Sequence, residues 1–340
     1  MEALQVMPNH VEYMPVRNYG DIEEAQIIDI SPASQKQLQF IEANTKEVDL
    51  FHLKNDCVIP VFSKDNEVTI SHTSFIETVH EAISKLLPNE TINMPEIRVS
   101  HLIKGRTPEA MHKSVDELLD KDRTLYYERM AFVIEIPSVY ETVEGNRLNL
   151  SVGGVRAYNH ENLYSRKTFE KFKLFIGFKN MVCCNMCIST NGYKSEIRVM
   201  SCQELLAQSI NLFQRYNAMQ QIKLMNSLGN YSLTEHQFAQ LIGKTKLYQC
   251  LPSKQRKLLP LMDFNDSQMN IIARNYYQDK SFCRSTDGSI NLWKVYNLFT
   301  GANKNSYIDN YLDRSVNATG FLNGISEALQ GNPEYGWFVN

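Results

Sequence analysis

Apolar and polar positions along this chain change their period twice. Up to about residue 123, short segments of both periods alternate. ASQKQLQFIEANT (33–45) reads as one short helix. DCVIPVFSKDNEVTIS (56–71) reads as two short strands around the polar turn Ser63–Asn66. Phe75, Ile76, Val79, Ile83 and Leu86 recur at helical spacing, and Pro88 stops that run. Residues 94–104 alternate like a strand. Thr107-Pro108-Glu109 then opens a further helix, with Leu118 and Leu119 near its end.

From about Thr124 the period is two. Residues 125–140, 146–159, 169–189 and 193–200 form a predicted antiparallel meander, with Glu144-Gly145-Asn146 and Asn191-Gly192 as its turns. At Ser201 the period becomes helical and stays so. Ser201-x-x-Glu204 and Ser232-x-x-Glu235 match the capping box, in which hydroxyl and carboxylate each satisfy a free backbone donor. Predicted helices run to about Leu228, from Leu233 to Tyr248, and over about 267–278, 290–299 and 306–329. The expected class is α+β: a meander-rich front followed by an all-helical back. The expected organisation is a flexible acidic arm (1–32), a β-rich α+β domain (33–200) and a helical domain packed on it (201–340).

Composition adds limits. The 340 residues are 43% hydrophobic and 21% charged, enough to bury a sizeable core. No run of about 18 apolar residues is present, so no membrane span is expected. The first twenty residues show no secretory pattern, and seven cysteines, an odd count and mostly scattered, fit reduced thiols, so a cytoplasmic setting is expected. Net charge is −3 but uneven: residues 1–93 hold 6 Lys+Arg against 15 Asp+Glu. That acidic front predicts a charged partner, or one part of the chain covering another.

Three cysteines lie together in KNMVCCNMCIST, at 183, 184 and 187. Core packing, a metal and redox chemistry all compete for them. A structural zinc site needs four ligands, and Cys57, Cys202, Cys250 and Cys283 stand alone. If the run stays in strand, Cys184 and Cys187 point to opposite faces, which favours packing. His72 and His80 lie eight apart near one helix face and read as solvated. GxxxxGK[ST], GxGxxG, GxSxG and HExxH are all missing, so no catalytic residue, metal or cofactor is expected. Gly153-Gly154 interrupts a strand and predicts a bulge or a close backbone approach.

The densest candidate is residues 145–180. It carries Arg147, Arg156, Arg166, Lys167, Lys171, Lys173 and Lys179 against Glu161 and Glu170, interleaved with Tyr158, Tyr164 and four phenylalanines. Cations that track a phosphate backbone, with aromatics that stack bases, are what single-strand nucleic-acid binding uses. The competing reading is a half-exposed sheet whose cations are merely solvated. In residues 291–314, Leu292, Val295, Tyr296 and Phe299 read as a packing face, with Trp293 and Asn297 on another.

HLKNDCVIPVFSKDNEVTISH, EIRVSHLIKGRTPEA, GNRLNLSVGGVRAYN and LWKVYNLFTGANKNSYID together resemble a family of unknown function from anaerobic gut-type bacteria. Its genes often sit among conjugative and other mobile elements. More distantly, VCCNMC and LWKVYN-x-x-T are similar to the "phage/plasmid-like protein" family, also of unknown function. Neither carries known catalytic residues. The resemblance implies a setting of phage, plasmids or transposons.

Two functional expectations follow. The first is a non-enzymatic nucleic-acid-binding protein of a mobile element, gripping single-stranded DNA through Arg147, Arg156, Tyr164, Arg166, Lys167, Lys171, Lys173 and Lys179. The second is a protein-interaction module whose partner is a host or element-encoded protein, without nucleic-acid binding. Self-association into a homo-oligomer is compatible with both.

Overall fold

The computed structural model describes residues 39–57, 69–110, 112–160 and 169–340. The fold is α+β, a curled antiparallel sheet in the N-terminal half followed by helices in the C-terminal half. The front holds β1 (Lys46–Val48), α1 (Leu50–Asn55), α2 (His72–Leu86) and β2 (Glu96–Arg106). The meander is β3 (Arg123–Val143), β4 (Asn146–Ala157), β5 (Glu170–Asn180), β6 (Met186–Cys187) and β7 (Tyr193–Val199). The back holds α3 (Cys202–Arg215), α4 (Ala218–Gly229), β8 (Ser232–Leu233), α5 (Glu235–Cys250), α6 (Ser253–Arg256), α7 (Asp266–Gln278), β9 (Ile290–Asn291), α8 (Leu292–Asn303) and α9 (Ile308–Leu329).

Among the described residues the main sheet runs β1-β2-β3-β4-β5-β6, with β7 also on β5. Strand period two splits its side chains between two cores. One face turns Phe132, Ile134, Val152, Leu174 and Phe178 toward α2 and the back helices. Phe75 of α2 meets Phe132 edge-on, with ring centroids 5.1 Å apart. The opposite face turns Ala131, Val133, Val155 and Phe175 toward Ile308, Tyr311 and Leu312 at the start of α9, with Phe40 and Ile41 beside them. The sheet is therefore covered on both faces where it is widest. Residues Leu38 to Asn340 form one compact unit.

Gly153 and Gly154 mark a close approach. A Cβ on Gly153 would lie 2.1 Å from the Phe132 carbonyl oxygen, and one on Gly154 would lie 2.4 Å from the Phe75 ring. Pro137 is tolerated in the long β3 because pairing with β4 is interrupted between Ile136 and Tyr140.

Several expected elements differ, each for a local reason. The described part of the helix expected at 33–45 is irregular from residue 39, tied by the Glu42 and Ala43 amides to the Lys304 carbonyl. Most of the strand pair expected at 56–71 lies outside the described residues. The helix expected after Thr107 is replaced by 3-10 turns at Pro108–Ala110, Val115–Glu117 and Asp120–Asp122. Its apolar residues have no core to meet, with Val115 68% exposed, and the Thr107 amide instead donates to the Asp122 carbonyl, closing the β2–β3 ladder. The long helix expected from Ser201 breaks at Tyr216, because Asn217 caps a new helix by accepting from the Gln220 amide. Ser232 does not start a helix, since Ser232–Leu233 pairs with Ile290–Asn291. The working capping box is Thr234 with Gln237, two residues later. His72 is buried rather than solvated.

Candidate functional site

The alternation that predicted a shared face for Lys171 and Lys173 holds, and Lys179 lies on it too. That face is the one α9 covers. Lys173 Nζ donates to the Asp309 carbonyl at 2.6 Å and to Asp313 Oδ2 at 2.5 Å, both on α9. Tyr193 OH donates to the other Asp313 oxygen at 2.7 Å. Lys179 Nζ lies 3.0 Å from Glu96 Oε2 and 3.5 Å from Glu135 Oε2. Burial acts to lower the Lys179 pKa, but Glu96, Cys184 and Glu135 outweigh it and hold the ammonium above its ordinary value. Lys171 Nζ lies 3.7 Å from Glu196 on β7.

Arg156 points to the opposite face, into the core. It is fully buried, ion-paired with Glu170, and packed over the Tyr158 and Phe172 rings at 4.4 and 4.5 Å. It also donates to the Ile70 carbonyl, which ties α2's entry to the sheet. Arg147 is exposed at the sheet's end, donates to Asn149 Oδ1 at 2.8 Å and stacks over Tyr140 at 4.0 Å. Tyr164, Arg166 and Lys167 lie outside the described residues. Four of the five described cations thus face carboxylates of the same chain. Phosphate affinity comes from cations that exchange counterions for phosphates, and an internal carboxylate competes with a phosphate for the same cation.

Lys171 and Lys173 do border a cleft of about 370 Å³ beside α9, with Val155, Ala157, Ser195, Glu196 and Asp309. It lies where β7 carries an extra residue, its pairing shifting between Phe172 and Leu174 of β5. Such a bulge re-aims side chains, here Ser195 and Glu196. Among the described lining residues, Lys171 and Lys173 stand against Glu196 and Asp309.

The cysteine cluster does not continue a strand. β5 ends at Asn180, residues 181–183 turn, and Cys184 takes the left-handed conformation at φ 56°. The two-face argument therefore does not apply to Cys184. β6 and β7 both pair with β5, so Asn191-Gly192 is not the turn of a hairpin. Burial pushes the Cys183 thiol up to about 12 and Cys187 higher still. Among the described residues no group of three or more His, Cys, Asp or Glu is placed to hold a metal.

What the turn does instead is dock α8. Asn180 Nδ2 donates to Asn297 Oδ1 at 3.0 Å, and Asn185 Nδ2 donates to the Asn297 carbonyl at 3.0 Å. Trp293 is buried and donates to Asn146 Oδ1 at 2.8 Å. VCCNMC and LWKVYN thus meet in one buried polar lock.

The densest exposed mixture of cations and apolar side chains lies elsewhere. Around α6, Lys254, Arg256 and Lys257 are exposed, Leu258 is 85% exposed and Leu261 68%. No carboxylate occurs between Cys250 and Met262. Leu247, at the end of α5, is also exposed. The sequence shows this as PSKQRKLLPL, but a short basic run looks like any solvated turn until the leucines are seen outside.

No described helix is long and apolar enough to cross a membrane. No curated protein and no solved structure matches the chain. Residues 21–339 match the family model described as "Domain of unknown function, B. Theta Gene description (DUF3871)". The chain belongs to that family of unknown function.

Proposed function

We propose that the protein is a non-enzymatic interaction module that docks a partner protein on the projection 252–261. The observation that carries this reading is the exposure of Leu258 and Leu261 beside three cations with no carboxylate among them. Exposed apolar groups rimmed by charge mark interaction sites. The matching partner surface is acidic around an apolar centre. The mobile-element setting belongs to this proposal and rests on the sequence resemblance; it makes a host or element-encoded protein, met in the cytoplasm, the partner class.

Single-strand nucleic-acid binding is the second reading. It is favoured by the exposed Arg147–Tyr140 stack and by the same three cations, which phosphates would also attract. One comparison separates the two. Parent protein and a Leu258→Asp/Leu261→Asp variant are used as baits in parallel, and each is titrated with a labelled oligothymidylate. A protein retained by the parent and lost by the variant supports docking. DNA binding that the variant keeps, with no protein lost from it, overturns docking in favour of the second reading.

A further inference from the structure

The break between α3 and α4 leaves space beneath it. An apolar chamber of about 200 Å³ lies between Leu86 at the end of α2, Phe178 on β5, Phe213 on α3 and Ile222 on α4. Val139 reaches its wall because of the pairing interruption between Ile136 and Tyr140 of β3. Glu141 is the one charged residue among its described lining. A wider, shallower trough of about 700 Å³ adjoins it and shares Met219 and Ile222 with it. The trough's other described lining is polar: Asn217, Gln220, Asn226 and Ser227 among others, with Lys223 as the one charge among them. Lys223 is exposed and makes no ion pair with another described residue.

We propose that chamber and trough together form a binding site for a small amphiphile, an aliphatic or single-ring monocarboxylate. The apolar tail enters the chamber and the carboxylate lies on Lys223 and the amides of α4. Three physical points carry this. An apolar cavity of about 150 Å³ already takes a benzene-sized guest, so this chamber has room for a ring or a six-carbon chain. Apolar lining with a few polar groups at one end is the usual composition of a ligand site. Met219, 73% exposed, stands at the shared rim, and its unbranched, polarizable side chain adapts to a guest. Glu141 disfavours a second anionic group inside the chamber, which selects monocarboxylates over dicarboxylates. The site is separate from the α6 projection and does not depend on it.

The test is calorimetric titration of the full chain with hexanoate, hexanol and acetate. Hexanoate and hexanol are expected to bind with a negative heat-capacity change, the mark of apolar burial, and acetate is not. Lys223→Ala should weaken hexanoate about fivefold, the scale of one exposed ion pair, and leave hexanol unchanged. Met219→Trp, at an exposed position, should block both without lowering the melting temperature. Absence of binding by hexanoate and hexanol overturns the site. Binding undiminished in Met219→Trp overturns its location, and equal loss of hexanol in Lys223→Ala overturns the role of that lysine.

Discussion

A lysine on a strand reads as solvated or as ligand-binding until its cross-sheet neighbours are known. Lys173 and Asp313 are 140 positions apart, and no local pattern joins them. Arg156 shows the same limit: its parity places it on one face, but only the tertiary fold makes that face a core closed by Phe172 and Glu170. His72 has a measurable consequence. Its Nε2 donates to the Tyr127 carbonyl at 2.8 Å, while the buried Nδ1 has no partner among the described residues. Burial, followed by the Arg156 charge, pushes its pKa from 6.5 down to about 3. The imidazole stays neutral in the fold while the unfolded chain takes up a proton below about 6.5. The unfolded state therefore binds more protons between about 6.5 and 3, and stability must fall as pH falls through that window. The contribution is at most about 1.4 kcal/mol per pH unit, read from urea midpoints at pH 7 and pH 4.5. His72→Gln should flatten that part of the slope, and an unchanged slope would assign it to other groups. The cysteines give a second residue-scale expectation. Cys202 and Cys250 are exposed, whereas Cys187 is buried with its thiol held far from ionisation. In the folded protein a thiol reagent should modify Cys202 and Cys250 quickly and spare Cys183 and Cys187 until denaturant is added. Early modification of Cys187 would contradict its place in the core.

At the scale of elements, long periodic runs were legible and their junctions were not. The meander from β3 to β5, α2, α7 and α9 follow the period of their apolar residues because each buries a continuous stripe. The turn at 181–185 was hidden inside a stretch that reads as strand, and the contacts of Asn180 and Asn185 with Asn297 on α8 show what holds the bend. The Tyr216 break was equally silent, since helix-forming residues flank it and the cap is a single asparagine. Asn297 is the hinge of the α8 docking, accepting from Asn180 and donating to the Trp293 carbonyl at 2.9 Å. Asn297→Ala strands the buried Asn180 donor and should cost about 1–3 kcal/mol in urea unfolding. The Asn180→Ala/Asn297→Ala double variant should cost less than the sum of the single changes, because both partners are then gone. Strict additivity would mean that the two side chains do not act together.

For the whole molecule, the α+β class and the switch near residue 201 could be read from the change of period. The destination of the charge could not. A net charge of −3 conceals cations of β5 matched by carboxylates on β2, β3, β7 and α9, while the cations around α6 face outward. Charge counted along the sequence weights both groups equally, and only their surroundings separate ion-paired cations from exposed ones. That separation is the central claim, and one measurement reaches it: anisotropy of a labelled oligothymidylate at low and high salt. The titration compares the parent, Lys171→Met/Lys173→Met and Lys254→Glu/Arg256→Glu/Lys257→Glu, each with its urea midpoint. The β5 variant should unfold at lower urea yet bind as the parent does, while any salt-sensitive binding should disappear in the α6 variant. Salt-sensitive binding lost in the β5 variant at unchanged stability, and kept in the α6 variant, would contradict the account and return the sheet as the binding surface.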